Sequence, residues 1–300
     1  MPLDIQQFEE QRPLLMGIAY RMLGSASEAE DVVQDAYLRA VAAPDEVRAP
    51  RAFLSTVVTR LCLDRLKAAR AVREQYIGPW LPEPMLQQPF GGAGEEQAER
   101  DETIAMAMLV LLEQLSPLER AVFLLHTSFE FPFDEIGAMV GRTAAACRQA
   151  YHRARAHLDG RRSRFRAPPE EQRRLVAGFL AAAREGDLAT LKAMLSERVV
   201  YVGDGGGVVA AARRPVVGVD PVARLMAGLT ARAIGPEGPP MRFALEWVNG
   251  EPGLLAWEGE ALVTLMVFAC GPEGIEAIHV VRNPVKLAHL AASVSPPAPA

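Results

Sequence analysis

Hydrophobic and polar positions alternate with a helical period through the first half of this chain, and only near its end does the period shorten toward that of strands. Leu14, Leu15, Ile18 and Met22 share one face of a helix predicted from Leu3 to about Leu23, with Gly24 as its stop. Ser27 and Glu30 have the spacing of a capping box, which opens a second helix to about Ala42. Val32, Val33, Ala36, Tyr37 and Leu38 supply its packing, while Glu28, Glu30, Asp31, Gln34 and Asp35 make its surface acidic. Pro50, suited to a first helical position, begins a third helix to about Arg73, cored by Phe53, Leu54, Val57, Val58, Leu61, Leu63 and Leu66.

Between Glu74 and Glu96 prolines 79, 82, 84 and 89 and a glycine cluster favour extension over helix. Trp80 is a large indole for a linker, so this stretch is expected to dock on a domain. Helix resumes near Gln97 and continues to Gln114. Ser116, Pro117 and Glu119 then form a capping box with proline at the first position, opening a helix from Pro117 to about Thr127. From Phe133 to Leu158 the pattern is a short helix with Ile136 and Val140 inward, a glycine turn, and a longer helix. Cys147, Tyr151, Ala154 and Leu158 make the buried stripe of that longer helix. This is the pattern of a helix-turn-helix, and Arg148, Gln149, His152, Arg153 and Arg155 lie off the stripe, facing outward.

A second, shorter linker, Arg166 to Pro169, precedes a change of character. Helices are predicted from Glu170 to Arg184 and, capped by Asp187, to Leu195; a strand follows from Arg198 to Val202. The glycines after Asp204 turn the chain into a run from Val208 to Ala212, and a helix spans about Pro221 to Ala233. Strand-favouring runs then fall at Phe243 to Val248, Leu254 to Trp257, Leu262 to Ala269 and Ile275 to Val281. Helices followed by antiparallel strands predict an α+β domain.

Charge sharpens this reading. The 300-residue chain has a formal net charge of −5, yet its cations are concentrated. Arg51, Arg60, Arg65, Lys67, Arg70 and Arg73 face only Asp64 in one segment, and Arg142, Arg148, Arg153, Arg155, Arg161, Arg162, Arg164 and Arg166 face only Asp159 in another. Phosphate neutralisation is local, so two basic patches predict two contact points on a polyanion, and the second helix of the helix-turn-helix is read as a DNA-reading helix. No apolar run approaches the roughly 20 residues that span a bilayer, and the N-terminus lacks a signal-peptide pattern, so an intracellular, cytoplasmic protein is expected. Cys62, Cys147 and Cys270 lie far apart without metal-ligand spacing and are read as small buried residues; no cofactor or metal is implied.

The strings AYRMLGSASEAEDVVQDAYLRA, RAFLSTVVTRLCLDRLKAAR and LSPLERAVFLLHTSFEFPFDEIGAMVGRTAAACRQAYHRARAHL, in that order, resemble a bacterial sigma factor of the extracytoplasmic-function (ECF) type. The remainder is similar to the subgroup with a SnoaL-like, NTF2-type C-terminal extension, through Trp80-Leu81-Pro82-Glu83-Pro84, Asp204-Gly205-Gly206-Gly207 and Asn283-Pro284-Val285-Lys286-Leu287. Two positions depart from the family pattern: Val285 stands where aspartate is usual, and Val208 where a basic residue is usual, a charge that Arg213 and Arg214 could supply.

The resemblance implies a multidomain protein: two all-α sigma domains, a region 2 helical bundle (1–73) and a region 4 helix-turn-helix (97–166), plus a C-terminal α+β NTF2-like cone (170–290). A linker (74–96) joins the first two, and a flexible tail (291–300) ends the chain. It implies a promoter-recognition subunit with core RNA polymerase and promoter DNA as partners and no chemistry of its own. Asp31, Gln34, Asp35, Leu38 and Arg39 would face the polymerase. The loop from Pro44 to Pro50 would capture a base flipped from the melted −10 strand, with Arg51, Ser55, Thr56 and Arg60 on that strand. Thr143, Ala144, Ala145, Arg148, Gln149 and Arg153 would face the −35 major groove. Trp80, Leu81, Pro82, Glu83, Pro84, Asp204, Gly205, Gly206, Gly207, Asn283, Pro284, Lys286 and Leu287 would form an intramolecular regulatory interface. Two other readings stand beside it: a helix-turn-helix regulator with a ligand-binding cone, and a bifunctional enzyme using a pocket acid or base among Asp204, Asp220, Glu246 and His279.

Overall fold

The structure, a computed structural model, describes residues 5–42, 49–73, 75–86, 105–158, 167–235 and 239–298. It divides into two compact units: residues 1–75, 88–102 and 108–162 form the first, and 76–87, 103–107 and 163–300 the second.

In the first unit, α1 (Ile5–Leu23) ends where Gly24, at φ 69°, takes the left-handed conformation that glycine adopts without strain. The cap of α2 (Ala26–Val41) lies two residues before the predicted box. Ser25 is extended and accepts from the Glu28 amide at 3.1 Å, and the Ser27 hydroxyl shares a hydrogen bond with the Ser25 hydroxyl. Leu15, Ile18 and Met22 of α1 meet Val32, Val33 and Ala36 of α2 and Leu54, Val58 and Leu66 of α3 (Pro50–Arg73) in a closed apolar core.

The unit continues with α4 (Met106–Leu112), inside which the unit boundary falls, then α5 (Pro117–Thr127), α6 (Phe133–Val140) and α7 (Ala144–Leu158). Both halves of the Ser116/Glu119 capping box form. The turn between α6 and α7 depends on Gly137, where a Cβ would lie 2.6 Å from the Arg142 carbonyl oxygen, and on Gly141 at φ 67°. Thr143 accepts from the Ala146 amide at 3.2 Å and so caps α7. Cys147, Ala150, Ala154 and Leu158 are buried, and Tyr151 joins Phe123, His126 and Phe133 in an aromatic cluster.

In the second unit, α8 (Pro169–Glu185) and α9 (Leu188–Ala193, capped by Asp187) lead into β1 (Leu195–Asp204). Then come β2 (Val216–Val217), α10 (Val219–Ile234), β3 (Met241–Val248), β4 (Glu251–Glu258), β5 (Ala261–Gly271), β6 (Gly274–Val281) and α11 (Pro284–Ala291). The sheet order is β2-β1-β6-β5-β4-β3. Its pairings are antiparallel except β1 with β6, which are parallel; the purely antiparallel expectation is corrected there. After β1 the chain crosses through α10 and the β3–β6 meander, so its last strand returns beside the first in the same direction.

One face of this sheet packs against α8 and α10 through Phe179, Val222, Met226, Phe268, Ile278 and Val280. The run from Val208 to Ala212 is not a strand, because Gly206 and Gly207 are both left-handed and fold Val208 and Val209 back onto the Gly205 carbonyl. α11 was not foreseen from the pattern. Asn283 caps it by accepting from the Val285 amide at 3.0 Å, with Pro284 at its first position. Beyond it, where a free tail was expected, the Pro297 carbonyl accepts a hydrogen bond from Arg242.

Candidate nucleic-acid interface

The acidic helix α2 exposes Asp31, Gln34, Leu38 and Arg39, with Asp35 half-buried. Arg65 of α3 reaches Asp31 at 3.5 Å and Asp35 at 3.4 Å, fixing two of these carboxylates at the helix surface. Leu38 is 57% and Val41 47% exposed, so the charged face carries an apolar strip that folding of this unit leaves uncovered.

The residues predicted for the −10 strand separate into different environments. The loop from Pro44 lies outside the described residues, as far as Arg48. Arg51 is exposed and stacks over Phe131, its guanidinium carbon 5.3 Å from the ring centre. The Thr56 hydroxyl donates back to the Ala52 carbonyl at 2.7 Å. Ser55 is fully buried, and its hydroxyl has no hydrogen-bond partner among the described residues; its expected place on the surface is corrected, because it falls on the packed side of α3.

Arg60 donates through Nε to the Met139 carbonyl and through Nη2 to the Ala138 carbonyl, both at 3.0 Å. These carbonyls belong to the last turn of α6, where helix carbonyls lack partners and the helix dipole favours a cation. A reciprocal arrangement runs the other way. Arg120 of α5 is buried and donates to the Met22 carbonyl in the last turn of α1 at 2.7 Å, to Leu112 at 2.9 Å, and pairs with Glu113 at 2.6 Å. Arg21 over Phe129 and Arg51 over Phe131 grip the loop between α5 and α6, in which Glu130 is left-handed at φ 58°. A cleft of about 720 Å³ is lined by Arg51 together with Glu10, Glu130 and Glu135 among others, so carboxylates outnumber its one cation.

On α7, Thr143, Ala145, Arg148 and Gln149 are exposed and Ala144 half-buried. Arg153, its side chain 58% exposed, is held through Nε by Glu119 Oε1 at 2.9 Å. Burial raises the Glu119 pKa, but hydrogen bonds from Ser116 and Arg153 outweigh it and hold the carboxyl below its ordinary value. Burial pushes the Cys147 thiol up, consistent with a core residue. The second patch's arginines from 161 to 166 lie outside the described residues, as do the side chains of Arg70 and Arg73.

Within the second unit the three motifs meet around one carboxylate. Asp204 is fully buried at the end of β1. Its Oδ1 accepts from the Tyr76 hydroxyl at 2.5 Å and the Gly206 amide at 2.9 Å; its Oδ2 accepts from the Leu81 amide at 2.9 Å and Lys286 Nζ at 2.6 Å. Lys286 Nζ also donates to the Leu81 carbonyl and sits 4.0 Å from the Trp80 ring centre. Asn283 Nδ2 donates to the Tyr76 hydroxyl at 2.9 Å.

A buried carboxylate with four donors, one of them a paired ammonium, satisfies the condition under which such a charge is tolerated. Leu81, Pro82, Glu83 and Pro84 are buried, and Asn249 exchanges hydrogen bonds with Met85, so the segment from 76 to 86 is laid onto this unit, as Trp80 suggested. Pro284 and Gly207 are exposed and Leu287 buried. Tyr76, which pattern reasoning missed, is central; burial first, then the Asp204 carboxylate, raises its pKa. Val208 and Val285, the two departures from the family pattern, are 79% and 77% exposed and stand outside the cluster.

The four candidate acid–base residues are not brought together. Asp204 is committed as above, and Asp220 pairs at the surface with Lys192 and Arg224. Glu246 is exposed, and His279 is buried in β6 with Nδ1 lacking a hydrogen-bond partner among the described residues, its pKa lowered by burial to about 4. Among the described residues, no hydrogen bond or ion pair joins any two of them, no group of three His, Cys, Asp or Glu could hold a metal, and no helix is long and apolar enough to cross a membrane.

Comparison with known proteins agrees with this architecture. Residues 7–72 match the Sigma-70 region 2 family and residues 105–158 the Sigma-70, region 4 family. The chain is 39% identical over 255 residues to the ECF RNA polymerase sigma factor SigJ of Mycobacterium tuberculosis H37Rv, covering 84% of this chain and 80% of that protein. It is 32% identical over 287 residues to the probable ECF RNA polymerase sigma factor SigI of the same species, covering 94% of each. The crystal structure of M. tuberculosis SigJ superposes with a TM-score of 0.74 at 31% identity, covering 95% of this chain and 98% of that one. With the two sigma regions matched in order and the likeness to SigJ extending through the C-terminal sheet domain, the chain belongs to the ECF family of RNA polymerase sigma factors.

Proposed function

We propose that this sigma factor is held closed until core RNA polymerase engages it, and that its C-terminal domain regulates it in cis without catalysis. The observation that carries the closed state is the grip of Arg60 on the α6 carbonyls: a residue assigned to the −10 strand is occupied by the helix-turn-helix of the same unit. The cleft that Arg51 shares with Glu10, Glu130 and Glu135 is net acidic and would repel the phosphates of a single strand, which argues the same way. Opening exchanges these hydrogen bonds for contacts with DNA and polymerase. The exposed face of α2, with Asp31, Gln34, Asp35, Leu38 and Arg39, is the docking surface for the polymerase. Arg51, Thr56 and Arg60 then serve the −10 strand, and Thr143, Ala144, Ala145, Arg148, Gln149 and Arg153 the −35 duplex. Polymerase and promoter place this work in the cytoplasm.

The C-terminal domain acts through the Asp204 cluster, which takes the segment from 76 to 86 and so shortens the chain free to join the two DNA-reading helices. The dispersal of Asp204, Asp220, Glu246 and His279 supports a regulatory module over an enzyme. Transcription in vitro with purified core polymerase tests both ideas, comparing the full chain with one ending near Ala167 and with Asp204→Ala. Promoter-specific transcripts that rise or vanish on these changes are expected; unchanged transcripts would refute regulation in cis. Co-elution with core polymerase separates this reading from a helix-turn-helix repressor, which needs no polymerase.

A further inference from the structure

The Glu119 carboxylate does two things at once, one with each oxygen. Oε2 accepts from the Ser116 amide at 3.2 Å and its hydroxyl at 2.7 Å, closing the cap of α5. Oε1 reaches across to α7 and accepts from Arg153 Nε at 2.9 Å. The carboxylate is largely sheltered, 15% exposed, while the arginine it holds is 58% exposed. A guanidinium has five N–H donors in a fixed fork, and this bond uses the one nearest the stem, on Nε, rather than those of the two terminal nitrogens.

We propose that Glu119 is a positioning residue for −35 recognition: it fixes Arg153 on the reading face of α7 before DNA arrives. This rests on the reading of Arg153 as a DNA-facing residue. A long side chain ordered in advance is not ordered at the expense of binding, which is the usual source of affinity from preorganisation. The opposing effect is repulsion between Glu119 and the DNA phosphates. At physiological salt the screening length is about 8 Å, and a carboxylate already paired with arginine presents little net charge, so positioning outweighs repulsion.

Glutamine separates the two roles, because it can replace glutamate in a capping box while losing the ion pair. The full chain, reconstituted with core RNA polymerase, is used to select a duplex from a pool randomised over the −35 element, and affinity for that duplex is then measured. Arg153→Ala is expected to weaken binding about 10-fold or more, the size of one lost arginine contact to a base. Glu119→Gln is expected to weaken it roughly 3- to 10-fold, the cost of ordering one flexible side chain on binding. The double variant should bind no more weakly than Arg153→Ala alone, an equality that a general loss of stability would not produce. Glu119→Gln binding as tightly as the unaltered chain, or its effect multiplying that of Arg153→Ala, would overturn the positioning role. If Arg153→Ala itself leaves affinity unchanged, the DNA-facing reading of Arg153 is what has failed, and the inference falls with it.

Discussion

Replacing Lys286 by methionine removes the one charged donor that, among the described residues, reaches a fully buried carboxylate. The aliphatic stem is kept, so the change is close to pure loss of an ammonium 2.6 Å from Asp204 Oδ2. Breaking a buried ion pair on one side costs about 3–5 kcal/mol, because the remaining charge stays desolvated. Asp204 retains three neutral donors, from Tyr76, Leu81 and Gly206, which places the loss near 3 kcal/mol, the lower end of that range. For a unit of this size each kcal/mol lowers Tm by about 2–4 °C, so a fall of roughly 6–12 °C is expected.

The three tryptophans, Trp80, Trp247 and Trp257, all lie in the second unit, so their fluorescence reports its unfolding alone. Trp80 should respond first, since it loses the cation over its ring. Pairing Lys286→Met with Asp204→Asn removes the stranded charge, and the double variant should be more stable than Lys286→Met by about 1–2 kcal/mol. A Tm within about 2 °C of the unaltered chain for Lys286→Met, or strict additivity in the cycle, would refute the reasoning.

His279 stays neutral when folded, its pKa lowered by burial to about 4, whereas the unfolded side chain titrates near 6.5. Between those values the unfolded state binds the extra proton, so stability falls as pH drops from 6.5 to 4, by on the order of 3 kcal/mol at the lower end. Urea midpoints followed by tryptophan fluorescence should lose that slope in His279→Leu. Gly206→Ala puts a Cβ 2.6 Å from the Asn283 side chain at a φ of 65°, so it should destabilise the second unit by about 2 kcal/mol or more, read from the same midpoints. Glu130→Gly relieves a left-handed non-glycine residue and should stabilise the first unit by up to about 1 kcal/mol, measured by the loss of helical circular dichroism.

Much of the helical half was legible because its determinants are local. Ser116 and Glu119 are three residues apart and form their box within one turn, and Gly24 and Gly141 stop helices with the left-handed conformation their type allows. The stripe from Cys147 to Leu158 needed only the helical period. The cap of α2 was misplaced by two residues because Ser25 and Ser27 are chemically equivalent, and the left-handed Gly24 decides between them. The parallel pairing of β1 with β6 carries no local signal, since each strand reads the same whichever neighbour it takes.

The site followed the same division. The chain order alone marked two basic helices and an acidic helix, because charge is written position by position, while the three short motifs were picked out by the family resemblance. It could not say that Arg60 closes on α6, that Ser55 faces inward, that Tyr76 completes the Asp204 cluster or that Glu119 serves Arg153. Each of these joins residues separated by the packing of several elements, apart from Ser55, which depends on which side of α3 is covered. A hydrogen bond over a few ångströms is settled only when the whole unit has folded, and there the tertiary structure decided what the pattern of residues had left open.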